Sequence, residues 1–147
     1  MKNATTLNDL IEINNDRIAG YEKASTETKD NDLQNVFREM ASQSRQLKTE
    51  LSDHVRVEGK EPAEGTTTRG KIYRAWMDVK VAFKGKDRKT VLNSCEFGED
   101  AAQRAYTAAM KEDELSPETR KLIQHQKDEL KISHDRIKRL RDSEPTS

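Results

Sequence analysis

The sequence predicts an all-α protein: an up-down bundle of four long helices, with one long connection that carries a short extra helix between the second and the third. Three observations lead there. Apolar residues recur at three- and four-residue steps in four long segments. Turn-forming residues separate those segments at unequal spacings. The balance of 32% hydrophobic to 37% charged residues suits amphipathic helices with well-solvated outer faces. Disordered stress proteins share such a composition, but a hydrophilic coil has no reason to keep an apolar period.

Helix one is expected over about residues 6–27. Leu7, Leu10, Ile11, Ile18 and Tyr21 fall on one face, and Thr6 with Asp9 resembles an N-terminal cap. TKDND, residues 28–32, reads as a turn. Helix two follows over about 32–58, with Leu33, Val36, Phe37, Met40, Leu47, Leu51 and Val55 as its stripe and Gly59 as a left-handed stop. GKEPAEGTTTRG (59–70) is a loop, opening a crossover that runs over 59–85. Within it KIYRAWMDVKVAF turns Ile72, Trp76, Val79 and Phe83 to one side, so residues 71–84 form a short helix lying against the bundle as a strap or extending the next helix across Gly85. Helix three spans about 87–113 with Val91, Leu92, Cys95, Ala102, Tyr106 and Ala109 inward; its alanines imply close neighbours. Ser116 as N-cap, Pro117 at the first helical position and Glu118 in the first turn start helix four, over about 117–142. Its stripe is Leu122, Ile123, Leu130, Ile137 and Leu140, and the SEPTS tail should fray.

Each long helix is roughly 22–28 residues, or about 33–42 Å at 1.5 Å per residue. The short turns make each hairpin antiparallel, while the middle connection is long enough to traverse the bundle. That is the one-crossover topology of ferritin-like folds, within a single domain over 1–147.

Composition narrows the function. Lysine plus arginine (27) equals aspartate plus glutamate (27), so no net field draws nucleic acid or an anionic membrane. Cys95 is the single cysteine, which fits a reducing, cytoplasmic setting. No apolar run approaches the ~20 residues of a membrane span, and MKNATTLNDLIEINNDR lacks a signal-type apolar core.

One titratable residue per long helix is expected inward: Glu22, His54, Glu99 (in CEFGED) and His134, with Tyr21, Tyr106 and Arg17 beside them. Glu96 should flank the seam. Two readings follow. In one, these side chains form a buried, hydrogen-bonded polar layer, because a lone buried carboxylate must find donors or a proton. In the other, Glu22, Glu50, His54 and Glu99 hold one divalent metal with His134 near. Two hairpins, each offering a glutamate and then a histidine, resemble the di-iron carboxylate proteins of the ferritin-like class. The sequence departs from them at the glutamate three residues before each histidine, where Leu51 and Lys131 stand.

LNDLIEINNDRIAGYEKA, the Trp76 segment, CEFGEDAAQRAY and SHDRIKRLRD together resemble an uncharacterised bacterial family of ferritin-like four-helix bundles, domain of unknown function 2383. The resemblance implies the fold and no established activity, substrate or cofactor. Cys95 is expected to be a buried small hydrophobe, His125 a surface residue, and GTTTRGK (65–71) no phosphate loop, since it lacks the strand and the spacing. KRLRD complements a helix C-terminus. The function read from all this is a non-enzymatic bundle protein with a degenerate metal site and no cofactor, acting through a protein partner or self-association, with a stress role by analogy alone. The alternative is an iron- or manganese-dependent oxidoreductase or storage protein, which carries a divalent metal.

Overall fold

The computed structural model describes residues 3–67, 70–81 and 88–144, and among them it is all-helical. Five helices follow in order: α1 (Asn3–Glu27), α2 (Asn31–Val57), α3 (Gly70–Val81), α4 (Arg88–Met110) and α5 (Pro117–Asp142). Among the long helices the boundaries differ from expectation by three residues at two places, the start of the first and the end of the third, where α4 stops at Met110 and not near 113. Thr6 is not a cap: α1 starts at Asn3, and Thr6 is buried inside it. Phe83, Gly85 and Asp87 lie outside the described residues.

The stops behave as their residues dictate. Gly59, with φ +74°, donates to the Arg56 carbonyl at 2.9 Å while Lys60 donates to Val55 at 3.2 Å, a six-to-one and five-to-two pair that ends α2. Ser116 Oγ accepts from the Thr119 amide at 3.2 Å, and Pro117 opens α5 behind it. From α5, Arg120 reaches back to the last carbonyl of α4, at Met110, and to that of Glu112 in the turn after it, and so closes that hairpin.

Helices α1 and α2 form one closely packed pair, and α4 and α5 the other; α3 packs against α1 and α4. Two groups of contacts fix the ends. At one, Asn3 donates to Glu58 Oε1 at 2.8 Å and accepts from the Ser116 amide at 3.0 Å. At the other, Arg88 meets Asp30, Asp32 and Glu144. The chain after α2 therefore leaves the first end and begins α4 at the second.

It is tied to α1 on the way. Asn8 donates to the Glu61 carbonyl and accepts from the Ala63 amide, Asn15 donates to the Gly65 carbonyl at 2.8 Å, and Asp16 accepts from the Thr67 amide and hydroxyl. These three side chains lie seven and eight residues apart, hence on one face two turns along. α1 is thus buried on several sides, which explains why Asn14, Asn15 and Asp16 are inside although the apolar stripe alone would leave part of them outside.

α3 is a separate strap. Its Trp76 is fully buried, edge-on to Tyr21 at 5.2 Å, in a notch made by two glycines. A Cβ on Gly20 would stand 2.7 Å from the indole, and one on Gly98 would stand 2.8 Å from it. Only helices lacking those methyls let the ring sit between α1 and α4. Gly98→Ala should therefore lower the unfolding free energy by about 1–3 kcal/mol through overpacking, read from the urea midpoint; a change within the roughly 0.5 kcal/mol of a surface substitution would show that the indole is seated elsewhere.

The second-end ion cluster gives a pH dependence. Asp32 is held down to about 2, first by the hydrogen bond from Arg88. Its unfolded value is near 4, so the contribution is fully present above about pH 4 and lost as pH falls through the folded value. The stability gap between the parent and Asp32→Asn should close on acidification from pH 5 to 2, and shrink with salt because Asp32 is largely exposed. A gap that widened toward pH 2 would contradict the pairing.

Candidate functional site

The heptad seams of the four long helices are apolar except at a few places. On α1 the run Leu7, Leu10, Tyr21, Ala24 is interrupted by Asn14 and Arg17; on α2, Met40 and Leu47 bracket Ser44; on α4, Cys95 and Ala102 bracket Glu99; on α5, Gln126 and Ser133 alternate with Ile123, Leu130 and Ile137. All six of these interrupting residues are buried. Because the interruptions fall at matching heights, they meet and divide the core into two apolar clusters, one around Phe37, Trp76 and Leu92 and one around Leu10, Leu51 and Leu130.

The first level centres on Arg17, which is 0% exposed. Its Nη2 meets Glu99 Oε1 at 2.6 Å, and its Nη1 donates to Ser44 Oγ at 2.6 Å and Gln43 Oε1 at 3.1 Å. Tyr21 donates its hydroxyl to the same Glu99 oxygen at 2.7 Å, and Ser133 donates to Gln43 Oε1 at 2.8 Å. All four long helices contribute. Burial works against the guanidinium charge, but the Glu99 carboxylate more than restores it, and Arg17 stays a cation. Burial, then Glu99, holds the Tyr21 proton well above its ordinary range, so the phenol remains a donor.

A second level, one turn along α1 and α2 and two turns along α4 and α5, links the same helices. Asn14 donates to Tyr106 Oη at 2.8 Å, Tyr106 donates to Gln126 Oε1 at 2.8 Å, and Gln126 donates to the Leu47 carbonyl and to Glu50 Oε1 at 3.1 and 3.0 Å. Burial raises the Tyr106 phenol too. Asn14 Oδ1, Arg17 Nε, Glu99 Oε2 and Trp76 Nε1 have no hydrogen-bond partner among the described residues, so both levels carry unmet polar atoms.

Of the residues expected to share an inward layer, Glu99, Tyr21 and Tyr106 lie in these levels, with Glu50 at the rim. Glu22, His54 and His134 do not join them. Glu22 is one position past the seam residue Tyr21; it is 52% exposed and pairs with Arg45 across the α1–α2 surface. His54 is half-buried and its Nδ1 lies 3.2 Å from its own helix's Glu50 carbonyl. His134 stands at the edge of the α4–α5 seam, its Nε2 2.5 Å from Asp100. Hence Glu22, Glu50, His54 and Glu99 do not converge on one point, and the interior carboxylate that a cation would need, Glu99, is occupied by a guanidinium. Asn14, Ser44, Gln126 and Ser133 were missed because they are gaps in an apolar pattern; Arg17 was legible as a partner, not as the centre. Cys95 is buried, and burial pushes its thiol pKa well up, which keeps it an unreactive small apolar group. His125 is exposed.

The family model of a domain of unknown function (DUF2383) matches residues 2–112. The chain belongs to that family. The match takes in α1 to α4, with the Gly20–Trp76–Gly98 notch and the Arg17–Glu99 pair, and ends before α5 and its SHDRI segment. No curated protein matches the chain.

Raised phenol pKa values mean that Tyr21 and Tyr106 contribute stability that is fully present below about pH 10 and lost as pH rises above it. Phenolate absorbance from two of the three tyrosines should therefore appear together with loss of helical circular dichroism, and Tyr21→Phe should remove one of those two and cost roughly 1.5–3 kcal/mol through the hydrogen bond to Glu99. Full ionisation of all tyrosines before any helix melts would contradict the burial.

Proposed function

We propose that this family member is a cytoplasmic, ferritin-like bundle whose interior metal position has been given over to an arginine–glutamate core, and that it acts by presenting its outer faces to a protein partner rather than by catalysis. The observation that carries the reading is Arg17: a fully buried guanidinium 2.6 Å from Glu99 fills the level at which a bundle of this class would place a dication. The shared ends of α2 and α4 described above favour the single-crossover topology. The stress association is part of the same reading and rests on analogy.

The face best suited to a partner is the groove between α2 and α5, which touch each other little. It has a volume of about 580 Å³, is lined by Arg38, Glu39, Ser42, Gln46 and Glu129, and ends on Ile132, which is 69% exposed. Gln43 lies at its floor and carries the groove's contact to Arg17.

Two measurements test the reading. Ferrous iron in air should be oxidised no faster by the parent than by the Glu99→Gln variant; turnover that disappears with Glu99 would restore an interior oxidase. A photo-crosslinking amino acid at Gln46 should capture one recurrent protein, while the same group at Lys121 on the exposed side of α5 should not; equal capture from both would remove the groove from the account.

A further inference from the structure

Glu96, which sequence reasoning placed at the flank of the seam, belongs to a cluster that the sequence reading did not foresee. Glu96 and Asp100 are one helical turn apart and face His134 of α5, and one ligand atom from each lies within 4.8 Å of the other two. His134 Nε2 is 2.5 Å from Asp100 Oδ1 and 4.0 Å from Glu96 Oε1. We propose that Glu96, Asp100 and His134 bind one divalent transition-metal cation of the zinc, cobalt or manganese class at the α4–α5 seam, away from the interior levels.

The surroundings orient each donor. Asp135 lies 3.1 Å from His134 Nδ1, the arrangement that holds a proton on Nδ1 and turns the Nε2 lone pair toward the two α4 carboxylates. Lys131 pairs with the other oxygen of Asp135 at 3.1 Å. Arg141 engages Glu96 through Oε2 and so leaves Oε1, the oxygen nearer the imidazole, for the metal. Glu96 and His134 are mostly buried, whereas Asp100 is 37% exposed, so the site has a fixed wall and one side open to water.

The distances suit a small rearrangement. Donors bound tetrahedrally at about 2.0–2.1 Å stand about 3.3 Å apart. The Asp100–imidazole separation would open and the Glu96–imidazole separation close by under about 1 Å each, within the reach of small side-chain rotations. One imidazole with two carboxylates suits borderline cations. The cation sits between His134 Nε2 and the two α4 carboxylates, and water completes its shell on the exposed side.

Chelator-treated full-length protein is titrated with zinc chloride by calorimetry and with cobalt(II) by its visible absorption. Saturation at one equivalent and a rise in melting temperature with zinc are expected. His134→Gln should abolish both signals, Asp100→Asn should weaken binding at least about tenfold, and Asp135→Asn, which leaves the three donors in place and loosens the tautomer and orientation of the imidazole, should weaken it about 10–100-fold. His54→Gln and His125→Gln should leave it unchanged. Asp100 is more exposed than His134, so its variant stays folded if His134→Gln does not, and circular dichroism checks both. Binding that survives Asp100→Asn and His134→Gln, binding lost on His54→Gln, or no saturable binding by the folded parent would each overturn the proposal.

Discussion

A guanidinium and a carboxylate face each other at 2.6 Å in the middle of the bundle, and most of the architecture can be understood as the means of keeping them there. Taking two charges out of water costs several kcal/mol per ion unless hydrogen bonds replace the lost hydration. Here Ser44 and Gln43 of α2 and Tyr21 of α1 supply those bonds, and Ser133 of α5 braces Gln43. Displacing α1, α2 or α4 along its axis by a turn would break hydrogen bonds to one of the two charges, whereas an all-leucine seam would tolerate the shift. The pair therefore acts chiefly on register, and the unmet atoms at Arg17 Nε and Glu99 Oε2 show that it is not an optimum of stability.

α1 is the element through which the other constraints pass. One line of its surface carries Arg17 and Tyr21 inward, a second carries Asn8, Asn15 and Asp16 to the loop that follows α2, and Gly20 receives the indole of α3. The strap and the polar levels are consequently coupled: Tyr21 touches Trp76 with its ring and Glu99 with its hydroxyl, and Gly98 and Glu99 are adjacent. CEFGED thus holds four functions in six residues. Cys95 packs, Glu96 and Asp100 face His134, Gly98 makes room for the indole, and Glu99 pairs with Arg17.

The helices were legible because their signals are local. Apolar period, Ser116-Pro117 and Gly59 act over a few residues, and the observed helices agree with them. α1 starts early because Asn3 has partners 55 and 113 residues away, which no local signal encodes. The site was half legible for the same reason. Glu99 falls squarely on a stripe and could be placed; Glu22 and His54, one position off or at a helix edge, could not, since a rotation of about 100° per residue separates core from solvent. Asn14, Ser44, Gln126 and Ser133 left a signal that was available, namely gaps at seam positions in α1, α2 and α5. Reading gaps as polar layers would have located both levels before any coordinates.

The account stands on Arg17 and Glu99 acting as a unit, so a double-mutant cycle tests it most directly. Arg17→Met and Glu99→Leu are compared singly and together by urea unfolding. Each single change should cost about 3–5 kcal/mol by leaving a buried partner unpaired, and the double variant should recover at least about 2 kcal/mol of their sum. Single costs that add within about 0.5 kcal/mol would mean the two side chains do not meet in the core, and the central claim would fail.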